Sequence, residues 1–440
     1  MNYSDFRIAV WGVGFIGFSS MVYYSRNKIE CYGIDTNPAV EKQILSGTYK
    51  QDMVSWLNGD PYRLFQEGKC KMCVPENLPK EDCELVHLIC VPTEKNCEPT
   101  MQAVLDTVGA IGAFEEQTAR TTVTVIIEST MVPGTAKDCL RILTEHLPDK
   151  KIYFGVAPRR DWFISPDKDL ANLPRVYGAN SQEAHKYIGR ILATVCKELV
   201  EASDYEHAEM VKSVENAFRH MGIALANQLS DAFPQMDIRH VLALAGTKWN
   251  VDTYYPSFGV GGYCVPLSSR YIQAACGNGV PLLESTIHYD NQRPFEIADG
   301  IISDNVEHVG ILGIGYKEDL SVESNWPITS IIRHLQANSV KVSIHDPWFT
   351  EEYLLHQYGT PRFDCFDYQS YEQFDVLIVS TAHSQYQMLD CNALMKGLLN
   401  CRYVLDNTGL FLKMGMDESL GDRYRLVGLP RKKGCERYPV

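Results

Sequence analysis

The sequence predicts an α/β protein: two doubly wound units with parallel sheets, joined by a helical middle that carries one long helix. Three observations predict it. Short apolar runs alternate with helical stretches near both ends of the chain, the pattern of a parallel sheet covered on both faces. A glycine-spaced turn closes the first apolar run, and the next apolar run ends in an acid. Residues 204–233 read as one unbroken helix between the two alternating regions. A chain of 440 residues is also too long for a single core. The boundaries expected are 1–203, 204–302 and 303–440.

Residues 7–11 read as a buried strand. Gly12, Gly14 and Gly17 follow in G-x-G-x-x-G register, with Phe15 and Ile16 between them, and a helical stretch comes after. A second apolar run over 30–34 ends in Asp35. Strand, glycine turn, helix, strand and acid form the dinucleotide-binding pattern of a Rossmann unit. The glycines allow a tight turn and close approach of a pyrophosphate. The helix N-terminus offers free N–H groups to phosphate. Asp35 is the acid for the adenosine ribose, which favours NAD over NADP. Residues 8–24 are nearly uncharged, but their glycines and serines suit strand, turn and helix better than a membrane span or signal segment.

The alternation continues with a strand over 85–91, ending at Val91-Pro92-Thr93, and a helix over 101–111. A strand over 122–127 ends in Glu128-Ser129-Thr130; a helix over 135–146 and a strand over 152–156 follow. Ligands sit at the carboxyl ends of such strands, which places Thr93, Ser129 and Thr130 beside the cofactor.

In the long helix Met210, Val214, Ala217 and Met221 recur at helical spacing, as a core or partner face. Lys212, Asn216 and Arg219 lie at i, i+4 and i+7 on another face, which reads as a solvated stripe or a site. Residues 256–266, Pro-Ser-Phe-Gly-Val-Gly-Gly-Tyr-Cys-Val-Pro, crowd three glycines against Cys264. A thiol on such a loop is placed to attack an electrophile; a glycine turn with a buried free cysteine is the alternative.

A second α/β unit begins near His308. A strand over 309–312 leads into Gly313, Gly315 and Lys317, a helix spans 327–336, and a strand over 340–344 ends in His345-Asp346-Pro347. Further strands cover 375–380 and 403–405. No second complete dinucleotide fingerprint follows, so this unit is expected to bind something else.

Composition sets limits. A charged fraction of 22% and an apolar fraction of 45% are ordinary for a globular protein. The net charge of −14 argues against general binding to nucleic acid or acidic membranes. Fourteen cysteines without a framework spacing fit a reducing cytoplasm. Cys70 and Cys73 lack the second ligand pair a zinc site needs, so no metal is expected. The tail Arg431-Lys432-Lys433 reads as a solvated terminus.

In this order the pieces resemble the UDP-glucose/GDP-mannose dehydrogenase family, from residue 7 to about 409. The markers are the glycine turn with Asp35; Val91-Pro92-Thr93; Ser129-Thr130 with Pro133-Gly134-Thr135; Pro174-Arg175-Val176; Glu209-Met210-Val211-Lys212 with Asn216; the Cys264 loop; Gly313-x-x-Tyr316-Lys317; and Asp346-Pro347. The resemblance implies NAD as cofactor, a nucleotide-sugar substrate, oxidation of its C6 alcohol to a carboxylate, and a homodimer through the long helix. It implies that Lys212 and Asn216 hold the C6 oxygen and that Cys264 adds to the aldehyde. Thr130 positions water or cofactor. Substrate contacts are expected from Arg159, Arg219, Tyr255, Phe258, Gly259, Gly261, Tyr316 and Lys317.

The chain departs from the family in three places. The family's glutamate that assists water falls on Arg159, within Ala157-Pro158-Arg159-Arg160-Asp161. The aspartate four residues after the cysteine is Ser268. The Asp-x-Arg-x-Ser segment is shortened to Ser321-Val322-Glu323-Ser324. Three outcomes stay open: Asp161 serves as a replacement base, the aldehyde is released, or Arg159 and Arg160 meet an anionic substrate; the alternative for the two arginines is that they face solvent or neighbouring acids. A two-electron dehydrogenase of the 3-hydroxyacid type and a non-catalytic sugar-binding protein are the competing readings.

Overall fold

The computed structural model describes residues 6–430, apart from 51, 52, 55, 58, 82, 162–165, 324 and 325. Ser324 of the shortened segment and the basic tail lie outside the described residues. The chain forms two compact units. One runs to Glu215 and includes Arg270–Gly279; the other comprises Asn216–Ser269 and the chain from Val280 onward. Within the middle, 204–302, the chain therefore passes from one unit to the other three times.

The first unit holds an eight-stranded sheet: β1 (Phe6–Trp11), β2 (Cys31–Ile34), β3 (Cys70–Met72), β4 (Glu84–Ile89), β5 (Thr122–Ile127), β6 (Lys151–Val156), β7 (Arg175–Ala179) and β8 (Leu199–Glu201). Their order is β8-β7-β6-β5-β4-β1-β2-β3. All neighbours are parallel except β6 and β7, which pair antiparallel at Gly155 and Ala179. The stretch from β3 to β6 is the Rossmann strand order. β1 shows why its sequence is an unbroken apolar run. Ile8 and Val10 enter a core with Phe18 and Met21 on one face. Ala9 and Trp11 enter a core with Ile89 and Val125 on the other. A strand buried on both faces has no polar side to alternate with.

The second unit carries β9 (His308–Leu312), β10 (Lys341–His345), β11 (Val376–Val379), β12 (Tyr403–Asp406) and β13 (Tyr424–Leu426). Their order is β10-β9-β11-β12-β13, all parallel. This too is a doubly wound order, with its ligand edge at the carboxyl ends of the strands.

The long helix spans Tyr205–Ala232, as its periodicity predicts. Glu209 fastens its first turns: its two carboxylate oxygens accept from Gly134 N (2.8 Å) and Ala136 N (2.9 Å) at the start of the helix Thr135–His146. The sequence reading missed β3, β7, β8 and β13. It also left several helices unread, among them Gln182–Leu192, Pro281–Ser303 and the one that carries Cys264. Residues Cys264–Ala275 are helical, so Cys264 is the first residue of a helix rather than part of a loop.

Candidate active site

The glycine turn after β1 is built to bring a ligand against backbone. Gly12 has φ +86°, and a Cβ there would lie 2.9 Å from the Cys90 carbonyl oxygen. A Cβ on Gly17 would meet Gly12 O at 2.0 Å, so the following helix, Phe15–Arg26, can pack this closely only with glycine. Gly14 differs: nothing lies within 4 Å of its added Cβ. It leaves open the space in front of the helix N-terminus, where a pyrophosphate would approach. Asp35 ends β2. Its Oδ2 accepts from Val13 N at 2.8 Å and its Oδ1 from Asn37 N at 2.9 Å. The open cradle and the fixed acid fit the adenosine diphosphate of NAD.

The turns after β4 and β5 are tied together. Ser129 Oγ donates to Val91 O (2.7 Å) and Thr93 Oγ1 to Thr130 O (2.7 Å). Thr93 Oγ1 also lies 2.8 Å from Tyr271 OH, a partner the sequence did not foretell. Thr93 is therefore buried and its hydroxyl is used internally. The Thr130 hydroxyl makes no hydrogen bond among the described residues. Pro92 is exposed on the same rim.

In the second unit Cys264 is exposed at the start of its helix. A helix N-terminus favours negative charge developing on atoms held there. The preceding strand of loop is pinned by side chains from several elements. Ser257 N donates to Asn227 Oδ1 (2.7 Å), Phe258 N to Asn407 Oδ1 (2.8 Å) and Val260 N to Asp290 Oδ1 (2.9 Å). The glycines permit packing as much as ligand approach. A Cβ on Gly261 would lie 2.2 Å from Trp326 Cε3, and one on Gly262 would lie 3.1 Å from the Tyr316 ring. Phe258, expected at the substrate, is fully buried in the core with Ile311 and Ile328. Its ring fixes the loop from behind and does not reach a ligand. Tyr255 is 46% exposed and lies beneath Arg239.

Asn216 donates its amide to Ser268 Oγ (2.9 Å) and to Cys264 O (3.2 Å). Ser268 Oγ in turn donates to Cys264 O at 2.6 Å. Lys212 is half-buried one helical turn earlier. Lys317 follows Tyr316 after β9. Burial and the charge of Arg219 push the Lys317 ammonium down to about 8. Burial and the nearby Cys264 push the Tyr316 hydroxyl up. Two cations, an aromatic ring and a thiol thus share one locality, suited to an anionic ligand with an electrophilic carbon.

Models of the three domains of the UDP-glucose/GDP-mannose dehydrogenase family match this chain. The NAD binding domain matches residues 6–196, the central domain 206–292 and the UDP binding domain 310–412. The chain belongs to this family. It is an NAD-dependent oxidoreductase, and the NAD-domain match covers the glycine turn and Asp35. The UDP-N-acetyl-D-mannosamine dehydrogenase of Methanococcus aeolicus is 28% identical over 400 residues, 87% of this chain and 85% of that protein. The UDP-N-acetyl-D-glucosamine 6-dehydrogenase of Pseudomonas aeruginosa is 25% identical over 435 residues, covering 91% and 98%. The solved UDP-D-ManNAc dehydrogenase of Pyrococcus horikoshii shares the fold, with a TM-score of 0.82 at 22% identity over 96% of this chain and 99% of that one.

Of the two readings of Arg159, substrate contact or pairing with neighbouring acids, the geometry matches the second. Arg159 is 5% exposed and turned into the cofactor unit. Its Nε donates to Asp161 Oδ1 (2.8 Å), its Nη1 to Ser20 Oγ (2.6 Å) and its Nη2 to Ser19 Oγ (3.0 Å). Glu128 Oε2 lies 3.6 Å away, and Arg175 Nη2 holds Glu128 Oε1 at 2.8 Å. Such a buried guanidinium needs these partners, and they leave no donor for a substrate. Asp161 is equally committed. Burial pushes its carboxyl up, but Arg159 outweighs this and holds it below the usual carboxylate range. A carboxylate so held is a poor replacement base. Arg160 pairs with Glu215 at 2.6 Å and donates to Pro174 O. Both arginines therefore answer neighbouring acids.

The second unit's glycine turn is closed by the protein itself. Asp346 is fully buried, and its Oδ2 accepts from Ile314 N (2.7 Å) and Gly315 N (3.0 Å) and lies 2.9 Å from His383 Nε2. The acid after the second strand accepts from the turn backbone here, as Asp35 does from Val13 N in the first unit. In the shortened segment Glu323 receives hydroxyls from Thr329 (2.7 Å), Tyr353 (2.5 Å) and Tyr358. No helix among the described residues is long and apolar enough to cross a membrane.

Proposed function

We propose that the dehydrogenase oxidises the C6 alcohol of a UDP-sugar to the uronate through Cys264. The observation that carries this reading is the exposed Cys264 at a helix N-terminus, with the Lys317 and Arg219 cations in the same unit. The UDP binding domain match supports the nucleotide, and the relatives' names make UDP-N-acetylhexosamines the first sugars to test. NAD, when bound, supplies the acceptor for both oxidations. Lys212 and Asn216 hold the C6 oxygen and oppose the charge that develops on it as its proton leaves. Asn216 must exchange one of its present bonds, to Ser268 or to Cys264 O, to do so. Cys264 Sγ adds to the aldehyde carbon to give a thiohemiacetal, whose oxidation gives a thioester. Water cleaves the C–S bond to release carboxylate and thiol. Lys317 and Arg219 hold the diphosphate.

A second reading has its own support. Arg159 and Ser268 replace both acids the family places near hydrolysis, and Asp161 is held in an ion pair. General-base assistance is worth roughly 10²–10⁴-fold, so thioester breakdown is the step that should suffer. Release of the aldehyde after one oxidation is that reading. We also propose a homodimer through the central helices. The exposed apolar face there is not the Met210, Val214 and Met221 row, which is half-buried. It runs through Phe218 (67% exposed) and Leu225 (57%).

A panel of UDP- and GDP-sugars, scored by thermal shift and by NADH, tests the substrate class. Stabilisation and turnover with a UDP-sugar are expected. Stabilisation by sugars of another nucleotide alone would overturn it.

A further inference from the structure

Beneath Cys264 lies a second row of polar groups that the chemistry above does not use. His220 follows Asn216 by one turn of the long helix. Its Nδ1 lies 2.9 Å from Ser269 Oγ, and its Nε2 lies 3.4 Å from Asp290 Oδ2. The other oxygen of Asp290 accepts from Val260 N at 2.9 Å. His220 is 1% exposed, Ser269 0% and Asp290 8%. Ser269, five residues after Cys264, meets the imidazole, and Val260, four residues before it, donates to the carboxylate; the imidazole and the carboxylate face each other at 3.4 Å without a hydrogen bond between them. Each flank of the cysteine is held by one member of this buried pair.

A loop with three glycines has much freedom to lose, and its thiol is useful only when that freedom is gone. The row through Asn216 does not supply this fastening alone. It ends on the hydroxyl of Ser268 and on the Cys264 carbonyl, and Asn216 must release part of it to meet the substrate. The His220 row stays intact when Asn216 turns. We propose that His220, supported by Asp290, is a positioning residue that holds Cys264 in line for attack on the aldehyde. It acts on the step that needs the sulfur and leaves the first oxidation, which needs only the alcohol and the cofactor, unaffected. The inference rests on the proposed role of Cys264.

The test separates the two oxidations. With a UDP-sugar substrate and a hydrazine to trap free aldehyde, His220→Ala is expected to keep the first-oxidation rate and the substrate KM. Its second oxidation should slow ~10–100-fold, the cost of a misplacement of about 1 Å, and trapped aldehyde should rise. His220→Asn, which can still reach Ser269, should recover part of the loss, and Ser269→Ala should reproduce it if His220→Ala does not fold. Equal slowing of both oxidations in the folded variants, or an unchanged ratio of the two, would overturn the inference. Cys264→Ser distinguishes the underlying reading: if it still forms two NADH per sugar, the cysteine mechanism itself fails, whatever His220 does.

Discussion

Lys317 shows how one side chain ties binding to pH. Burial and Arg219 push its ammonium down to about 8, below the ordinary value for lysine. The cationic form is present below that value and is lost as pH rises through it. Affinity for a diphosphate should therefore weaken above pH ~8, as a KM that climbs with pH. Lys317→Met should bind weakly and flatten the profile; a wild-type KM level to pH 9.5 would contradict the assignment. Glu209 carries the opposite kind of signal. Burial pushes its carboxyl up to about 6, against two backbone N–H groups that favour the charge. A raised acid contributes stability that is complete below its unfolded value and lost as pH rises through the folded one. Stability should thus fall between pH ~4.5 and 6 by about 2 kcal/mol from this group, and Glu209→Gln should remove that fall. Denaturant midpoints at both ends of the window decide it. The glycine turn with Asp35 and the glycine-flanked Cys264 stood out in the sequence because immediate neighbours mark them, and the roles given to both are proposals. The places of Arg159 and Phe258 were not legible. Their partners, Ser19, Ser20, Glu128 and the second-unit core, are distant in sequence, so register alone misplaced both.

At the scale of elements, the Arg159 cluster braces three segments at once: the glycine-turn helix through Ser19 and Ser20, the end of β5 through Glu128, and the end of β6 through Arg159 itself. Removing the guanidinium leaves Glu128 and Asp161 buried with less compensation, a loss typically worth about 3–5 kcal/mol. Arg159→Ala should lower the melting temperature and raise the KM for NAD more than that for the sugar. A variant with unchanged stability would show that the cluster braces nothing. The same scale explains which elements could be read. β1, β4 and β5 are buried on both faces and appear as plain apolar runs. β7 begins at Pro174-Arg175 and buries an arginine, which breaks that pattern. The Cys264 helix was hidden by the glycines before it and by Pro266, although proline is well tolerated in a first turn.

At the scale of the whole molecule, doubly wound order recurs in both units, yet their glycine turns are used differently. One leaves space at Gly14; in the other an added Cβ on Gly315 would lie 2.9 Å from Leu320 O. The acid that ends the second strand is legible in both halves, and in both it accepts from the backbone of its own turn, Asp35 from Val13 N and Asp346 from Ile314 N. The exposed Phe218 and Leu225 predict that Leu225→Asp gives a slower-sedimenting species than wild type; identical sedimentation would remove the proposed dimer seam. The central claim is that Cys264 carries the reaction through a thioester. It is tested most directly by counting NADH formed per UDP-sugar consumed, in wild type and in Cys264→Ser. The account predicts two for the wild type and a collapse of the second oxidation in the variant. One NADH per sugar from the wild type, indifferent to the substitution, would contradict it and leave an enzyme that stops at the aldehyde.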